Sequence, residues 1–181
     1  MALEIMKIER YIDARGLTKK DIQMSENVAK RKKQVFREIK LIPKPFVGVR
    51  ELITNTLSGC SKAVVSGSSK EEVDTIISEI FGTDAFNIII DGDQFEGKGK
   101  PDPASYEVAL QRLNTKTSDA VVVENAPLGV RAANSARIPC IVTLNTSPLV
   151  LSDFKGLISE ERMFKDTSSA GNFLNNWCHS L

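Results

Sequence analysis

The chain is poor in the residues on which stapled or metal-built folds rely. Its three cysteines, Cys60, Cys140 and Cys178, form an odd, widely spaced set without a Cys-x-x-Cys pair. That pattern suits reduced thiols and argues against a disulfide framework or a zinc site. Histidine occurs once, at His179 beside the C-terminus, where a solvated imidazole is the expected reading and a metal ligand the weaker one. No apolar run reaches the roughly 20 residues of a membrane span. The opening stretch MALEIMKIER alternates charge with apolar residues and has no signal-peptide core, so a cytoplasmic protein without a membrane partner is expected. Neither sign of charge is in excess, the formal net charge being +1. No global field then draws nucleic acid or an anionic surface, and any anion site is local.

What is present is a core. With 181 residues, 41% hydrophobic and 26% charged, the chain fits one globular domain, or a core with a small appendage, that buries roughly 70% of its unfolded surface. From Leu3 to Ile39 the periodicity is helical, with a break at Arg15-Gly16 and Thr18 placed to cap a second helix. A helical hairpin is expected there. KLIPKPFVG then ends the helix with two prolines and a glycine, which puts the best domain boundary near Lys40 to Phe46 and divides the chain into residues 1–44 and 45–181.

Beyond the boundary short apolar runs alternate with helical segments. The runs are KAVVS, NIIID, AVVVE, PCIVT and RMFKD, and the helices are expected near Val49–Leu57, Lys70–Ile80, Pro103–Leu113, Leu128–Ala136 and Ser168–Trp177. Because the runs do not alternate apolar with polar, they read as strands buried on both faces, and the fold class is α/β: a Rossmann-like parallel sheet flanked by helices. In such sheets chemistry collects at the carboxyl ends of the strands, here Ser66, Asp91, Glu124 and Thr143.

Each strand end carries a candidate group. In AVVSGSSKEEV, Ser66 ends a strand, Gly67 permits a tight turn and Ser68 or Ser69 caps the next helix, so the hydroxyl and nearby backbone N–H groups form a phosphate cradle; the same residues also suit a plain strand-to-helix turn. Lys100 lies in the glycine-loosened GKGKPDP loop, a point charge able to balance a phosphate against a carboxylate. Glu124 and Asn125 offer two oxygen ligands of the kind Mg2+ takes, although a helix cap uses the same pair. The basic run Lys30, Arg31, Lys32, Lys33, Arg37, Lys40 and Lys44 reads first as a solvated helix face and second as a recogniser of an anionic substrate. It lacks the interleaved aromatics of a nucleic-acid surface.

The order of Ser66, Lys100 and Glu124, each at or just after a different strand, resembles the second, third and fourth motifs of the haloacid dehalogenase-like superfamily, in particular the branch with β-phosphoglucomutase and small-sugar phosphatases. The resemblance runs from about Val28 onward: AKRKKQVFREI and PKPFVGVRELI look like the end of that family's helical cap and the return to its core, and GKGKPDPASY, ENAPLGVRAA and IPCIV look like later landmarks. It implies a partial helical cap over 1–44, Mg2+ as cofactor and a small phosphorylated metabolite as substrate. Ser66, Gly67, Ser68 and Lys70 with Lys100 would bind phosphate, Ser66 and Lys100 would act in catalysis, and Glu124 and Asn125 would serve the metal. Mutases of the branch place a lysine directly after Ser-x-Ser. Here Ser69 stands there and Lys70 follows, which favours a phosphatase.

The family's nucleophile is an aspartate on the first strand, ahead of the cap and of the serine motif. Asp91-Gly92-Asp93 comes after Ser66 and is expected to imitate that motif without performing its role. Nothing before Leu41 reads as a strand ending in Asp-x-Asp. The expectation is therefore a sheet with a gap at its centre, inactive alone, whose partner is a segment that supplies the first strand or a second copy of the chain. A shifted start site, a split gene or a remnant would each account for this. Two other readings stay open: a non-catalytic module binding phosphate or a partner, and a receiver-like or flavin-binding domain, which leaves Lys100 and Glu124 unexplained.

Overall fold

The computed structural model describes residues 42–178 apart from 96–98 and 145–148, together with part of 24–38. The expected first helix, its break, Thr18 and His179 lie outside the described residues. Where 24–38 is described the backbone is helical. Arg37 Nε reaches the Glu71 carboxylate oxygens at 2.9 and 3.0 Å, an exposed pair of the kind that contributes little to stability.

The five expected strands form at β1 (Ala63–Val65), β2 (Ile88–Ile90), β3 (Val122–Glu124), β4 (Cys140–Thr143) and β5 (Met163–Phe164). Between them lie α1 (Val49–Glu51), which continues as a π-helical turn over Leu52–Thr56, then α2 (Lys70–Phe81), α3 (Ala104–Leu113), α4 (Pro127–Ser135) and α5 (Thr167–Cys178). Local chemistry sets these boundaries. At α2 the Glu72 carboxylate takes the Ser69 N–H at 3.3 Å, one half of a capping box. Pro127 occupies the first position of α4, where a missing N–H is harmless. At the end of α3, Asn114 adopts a left-handed φ of 51°, a conformation that Asn tolerates better than most side chains.

All strand pairings are parallel, as runs buried on both faces require. Among the described residues they form two ladders, β1-β2 and β3-β4-β5. β4, flanked on both sides, is buried throughout, whereas β1 is half-buried and Val123 in β3 is 47% exposed. The hydrogen bonds show which backbone groups face away from the described partner strands. Lys62 O accepts from Asn87 N, and Ser66 N donates to Ile90 O, so alternation turns the backbone of Ala63 and Val65 to the edge away from β2. Likewise Val122 N donates to Pro139 O, which turns Val121 and Val123 away from β4.

The core lies on the two faces of β4. Cys140 and Val142 pack with Tyr106, Val130, Ala133 and Phe154 on one side; Ile141 packs with Leu57, Ala170 and Leu174 on the other. The thiol expectation needs correction: Cys60 and Cys178 are paired as a disulfide, their Cα atoms 7.0 Å apart, and only Cys140 is a free, buried thiol. α5 packs back against the π-helical turn, Gly171 facing Leu52. That return brings together residues 118 positions apart, a proximity that spacing along the chain does not reveal.

Burial predicts contrasting substitutions. Ile141→Ala, at a fully buried β4 position, is expected to cost about 2–5 kcal/mol. Val123→Thr is expected to change stability by less than about 0.5 kcal/mol. Urea unfolding of both variants checks this, and comparable losses would mean that β3 is covered in solution.

Candidate active site

Five chain segments meet at the carboxyl ends of β1, β2 and β3. Ser66 leaves β1, and its Oγ accepts the N–H of Ser68 at 3.1 Å, folding the Ser-Gly-Ser-Ser turn back on itself. The Asp91-Gly92-Asp93 turn is stitched to it: Gly92 N donates to Ser68 O at 2.7 Å, and Lys70 N donates to Asp93 Oδ2 at 2.9 Å. The two turns touch so closely that a Cβ on Gly92 would lie 2.4 Å from the Gly67 carbonyl oxygen. Only glycine fits there.

Asp91 is 3% exposed, and both of its carboxylate oxygens are engaged within its own turn. Oδ1 accepts Asp93 N at 3.0 Å and Oδ2 accepts Gln94 Nε2 at 2.6 Å. A carboxylate used in this way holds a loop in shape. It is the geometry of a cap and gives no support to Asp91 as an attacking group.

Lys100 and Glu124, far apart in sequence, come together. The Lys100 ammonium contacts Glu124 Oε1 and donates to Val65 O at 3.1 Å, so one cation links the end of β1 to the end of β3. It also lies 4.8 Å from the centroid of the Tyr106 ring, within cation–π range. Glu124, 7% exposed, accepts the Tyr106 hydroxyl on Oε1 at 2.6 Å and the Asn125 N–H on Oε2 at 3.1 Å. The first turn of α4 closes over it: a Cβ on Gly129 would fall about 2 Å from the carboxylate. The helix N-terminus favours a negative charge at that place.

Tyr106 and Gly129 carry no motif in the sequence that marks these contacts. Tyr106 sits in the first turn of α3, within the GKGKPDPASY stretch that carries Lys100, and that shared segment is its one signal in the sequence. Burial, then the Glu124 charge, push the Tyr106 hydroxyl well above its ordinary value, so it remains a proton donor to the carboxylate. The Cys140 thiol is pushed up to about 12 by burial and by Glu124 and stays neutral.

Of the other expected groups, Lys70 directs its ammonium to Asp74 one turn along α2, and that hydrogen bond raises its pKa. Asn125 is exposed beside Glu124. Among the described residues no group of three or more His, Cys, Asp or Glu could enclose a metal. Glu124 and Asn125 nevertheless fit part of a Mg2+ shell, since that ion takes one or two protein oxygens and completes its octahedron with water and phosphate.

The sequence profile of the haloacid dehalogenase-like hydrolases matches residues 3–143. The chain belongs to that family. A CBBY-like protein of Arabidopsis thaliana is 39% identical over 112 residues, which cover 60% of this chain and 34% of that protein. A phosphorylated carbohydrates phosphatase of Thermotoga maritima is 36% identical over 138 residues, covering 74% of this chain and 61% of that one. The chain thus spans about a third of the first relative's length and three fifths of the second's. Among solved structures, CbbY of Rhodobacter sphaeroides in complex with xylulose 1,5-bisphosphate is 26% identical with a TM-score of 0.63, over 83% of this chain and 67% of that one. The parallel α/β architecture is that of this hydrolase family, in the branch that also holds β-phosphoglucomutase-like proteins.

Two predictions follow from the packing of this haloacid dehalogenase-like site. Gly92→Ala is expected to cost about 1–3 kcal/mol by overpacking, while Gly59→Ala, with open space around its Cβ, is near neutral; thermal unfolding of the pair distinguishes them. The second concerns alkali. Cys140 has a folded pKa above its unfolded one, so its contribution to stability is complete below about pH 9 and is lost as the pH rises towards 12. Urea midpoints should fall with pH above 9, and less steeply in Cys140→Ala.

Proposed function

We propose that the chain carries the phosphate-binding and metal-binding parts of a Mg2+-dependent phosphomonoesterase for small phosphorylated carbohydrates. The observation that carries this reading is the Lys100 ammonium held between Glu124 and the carbonyl of Val65, one residue before the Ser66 turn. A fixed cation there faces both a carboxylate and the place where a phosphoryl group would sit. The relatives' names point the same way: one is a phosphorylated carbohydrates phosphatase, another a validoxylamine A 7'-phosphate phosphatase.

In this mechanism the Ser66 hydroxyl and the N–H groups of the Gly67-Ser68 turn hold the phosphoryl oxygens, and Lys100 offsets charge between phosphate and nucleophile. An aspartate carboxylate, brought by a segment that supplies the first strand, attacks phosphorus while the P–O bond to the sugar breaks and the sugar oxygen takes up a proton from water. Water then cleaves the aspartyl-phosphate, releasing inorganic phosphate and restoring the carboxylate. Mg2+, held by Glu124 and Asn125, would supply charge neutralisation of the phosphoryl oxygens. Ser69 at the position of the mutase lysine makes hydrolysis the favoured outcome over transfer to a second sugar.

Residues 1–44 serve as a helical cap and 45–181 as the core on this reading. The basic run is partly neutralised before any substrate arrives, because Arg37 pairs with Glu71 and Arg31 with Glu38. Lys30 and Lys44 are the described residues of the run without an ion pair of this kind, and they are the better candidates for an anionic ligand. The setting is cytoplasmic, and no described helix is long and apolar enough to cross a membrane. The partners are the phosphorylated substrate and either a segment bringing the nucleophile strand or a second copy. A binding module without turnover is the second reading, favoured by one observation: Lys100, Tyr106 and the Asn125 N–H already engage both oxygens of Glu124.

Titration calorimetry and a turnover assay on purified chain test the proposal. Sugar phosphates should bind in a Mg2+-dependent manner, at least about tenfold more weakly after Ser66→Ala or Lys100→Ala. Turnover by the chain alone should stay at background, orders of magnitude below a complete enzyme, with or without Asp91→Asn. Absence of any phosphate binding sinks both readings. Robust turnover abolished by Asp91→Asn would make Asp91 the nucleophile.

A further inference from the structure

A carboxylate has two oxygens with about four lone-pair positions between them, and at Glu124 they are unequally used. Oε1 accepts twice, from the Lys100 ammonium and from the Tyr106 hydroxyl at 2.6 Å, so its positions are filled. Among the described residues Oε2 accepts once, from the Asn125 N–H at 3.1 Å, and keeps one position open. The group has little room to turn: it is buried, and the place where a Cβ on Gly129 would stand is 1.9 Å from its carboxyl carbon. One oxygen is committed to the protein and the other is half free.

We infer that Tyr106 is a positioning residue that leaves Glu124 only Oε2 with which to hold a metal ion, and that this one-oxygen grip selects Mg2+ over the larger Ca2+. The inference rests on the metal-dependent reading above and names the residue that sets its ion preference. Mg2+ demands a near-ideal octahedron and keeps several waters beside one or two carboxylates, whereas Ca2+ accommodates about six to eight oxygens in a flexible shell and takes both oxygens of one carboxylate readily. A Glu124 whose Oε1 is saturated cannot close on Ca2+ with both oxygens without breaking two hydrogen bonds in a place with little water. Mg2+ needs no such rearrangement.

Two donors hold Oε1, and Tyr106 is the one with no second task. Lys100 also donates to Val65 O at 3.1 Å, and a phosphate arriving at the Ser66 turn would draw its charge. The Tyr106 hydroxyl has one proton to give and gives it to Glu124. Its ring is buried in the core cluster with Val130, Ala133 and Cys140, so the hydroxyl is presented at one place. Hydrogen bonds of this kind to a ligating group ordinarily matter by about 10–100-fold in metal affinity. Phe at position 106 keeps the ring and its packing, drops the donor and frees one position on Oε1.

Mn2+ takes the same hard oxygen ligands, and the loss of its paramagnetic resonance signal on binding, competed separately by Mg2+ and by Ca2+, measures the preference in the full chain. Tyr106→Phe is expected to weaken Mg2+ about tenfold while Ca2+ holds or tightens, so the Mg2+ to Ca2+ affinity ratio falls by at least that factor. A role confined to packing would weaken both ions alike. A second measurement needs no substitution at Tyr106: infrared carboxylate stretches of the unmodified chain, with and without Mg2+, should shift as those of a one-oxygen ligand do, and the shifting band should vanish in Glu124→Gln. Equal weakening of both ions, an unchanged ratio or a two-oxygen signature with Mg2+ would each overturn the inference and leave the phosphatase reading standing. No Mn2+ binding by the unmodified chain removes the metal from both. Mg2+ preference set by Tyr106 in a chain that binds no sugar phosphate counts against the phosphatase reading alone.

Discussion

The ammonium of Lys100 ties together strand ends that no described backbone ladder joins. β1 belongs to one ladder and β3 to the other, and the cation spans them by holding Val65 O and the Glu124 carboxylate. A charge pair this little exposed is sensitive to the loss of one member, because the charge left behind has no water to turn to. Tyr106 shares the load by donating to the same carboxylate oxygen and placing its ring beside the ammonium. The first turn of α4, opened by Pro127 and kept bare by Gly129, closes from the other side. The relative position of the β1 and β3 ends and the charge at them are thus tied to that one contact.

Asp91-Gly92-Asp93 shows how the same residue types serve shape. A carboxylate at a strand end looks poised for chemistry, yet Asp91 spends both oxygens on its own turn, and Asp93 is taken by the backbone of Lys70. Their effect is to hold the second turn against the Ser66 turn, which fixes the direction in which the Ser66 and Ser68 backbone groups face. The acidic loop therefore acts on the Ser66 turn through its geometry.

Burial of the strands records the same asymmetry as the hydrogen bonds. β4, with a neighbour on each side and helices on both faces, is sealed; β1 and β3, each with one neighbour among the described residues, are not. A Val at 47% exposure in the middle of a parallel strand is at odds with a sheet type whose strands are ordinarily covered on both faces. The space beside it is lined by apolar residues such as Leu57, Tyr106, Ala109 and Leu174 together with charged ones such as Lys62 and Asp119.

The sequence by itself determined the class of structure and the order of its parts. Five apolar runs without alternation dictate parallel strands, Ser68 or Ser69 marks a helix start by local hydrogen-bonding rules, and the succession Ser66, Lys100, Glu124 assigns the three to successive strand ends, because all of these depend on neighbours within a few residues. Tertiary structure alone decided the rest. Tyr106 joins Glu124, Cys60 meets Cys178, Gly129 lies against a carboxylate, and Lys70 turns to Asp74 in place of the cleft. Each of these depends on distances across the fold, and two side chains far apart in a chain leave no local pattern by which their meeting could be read.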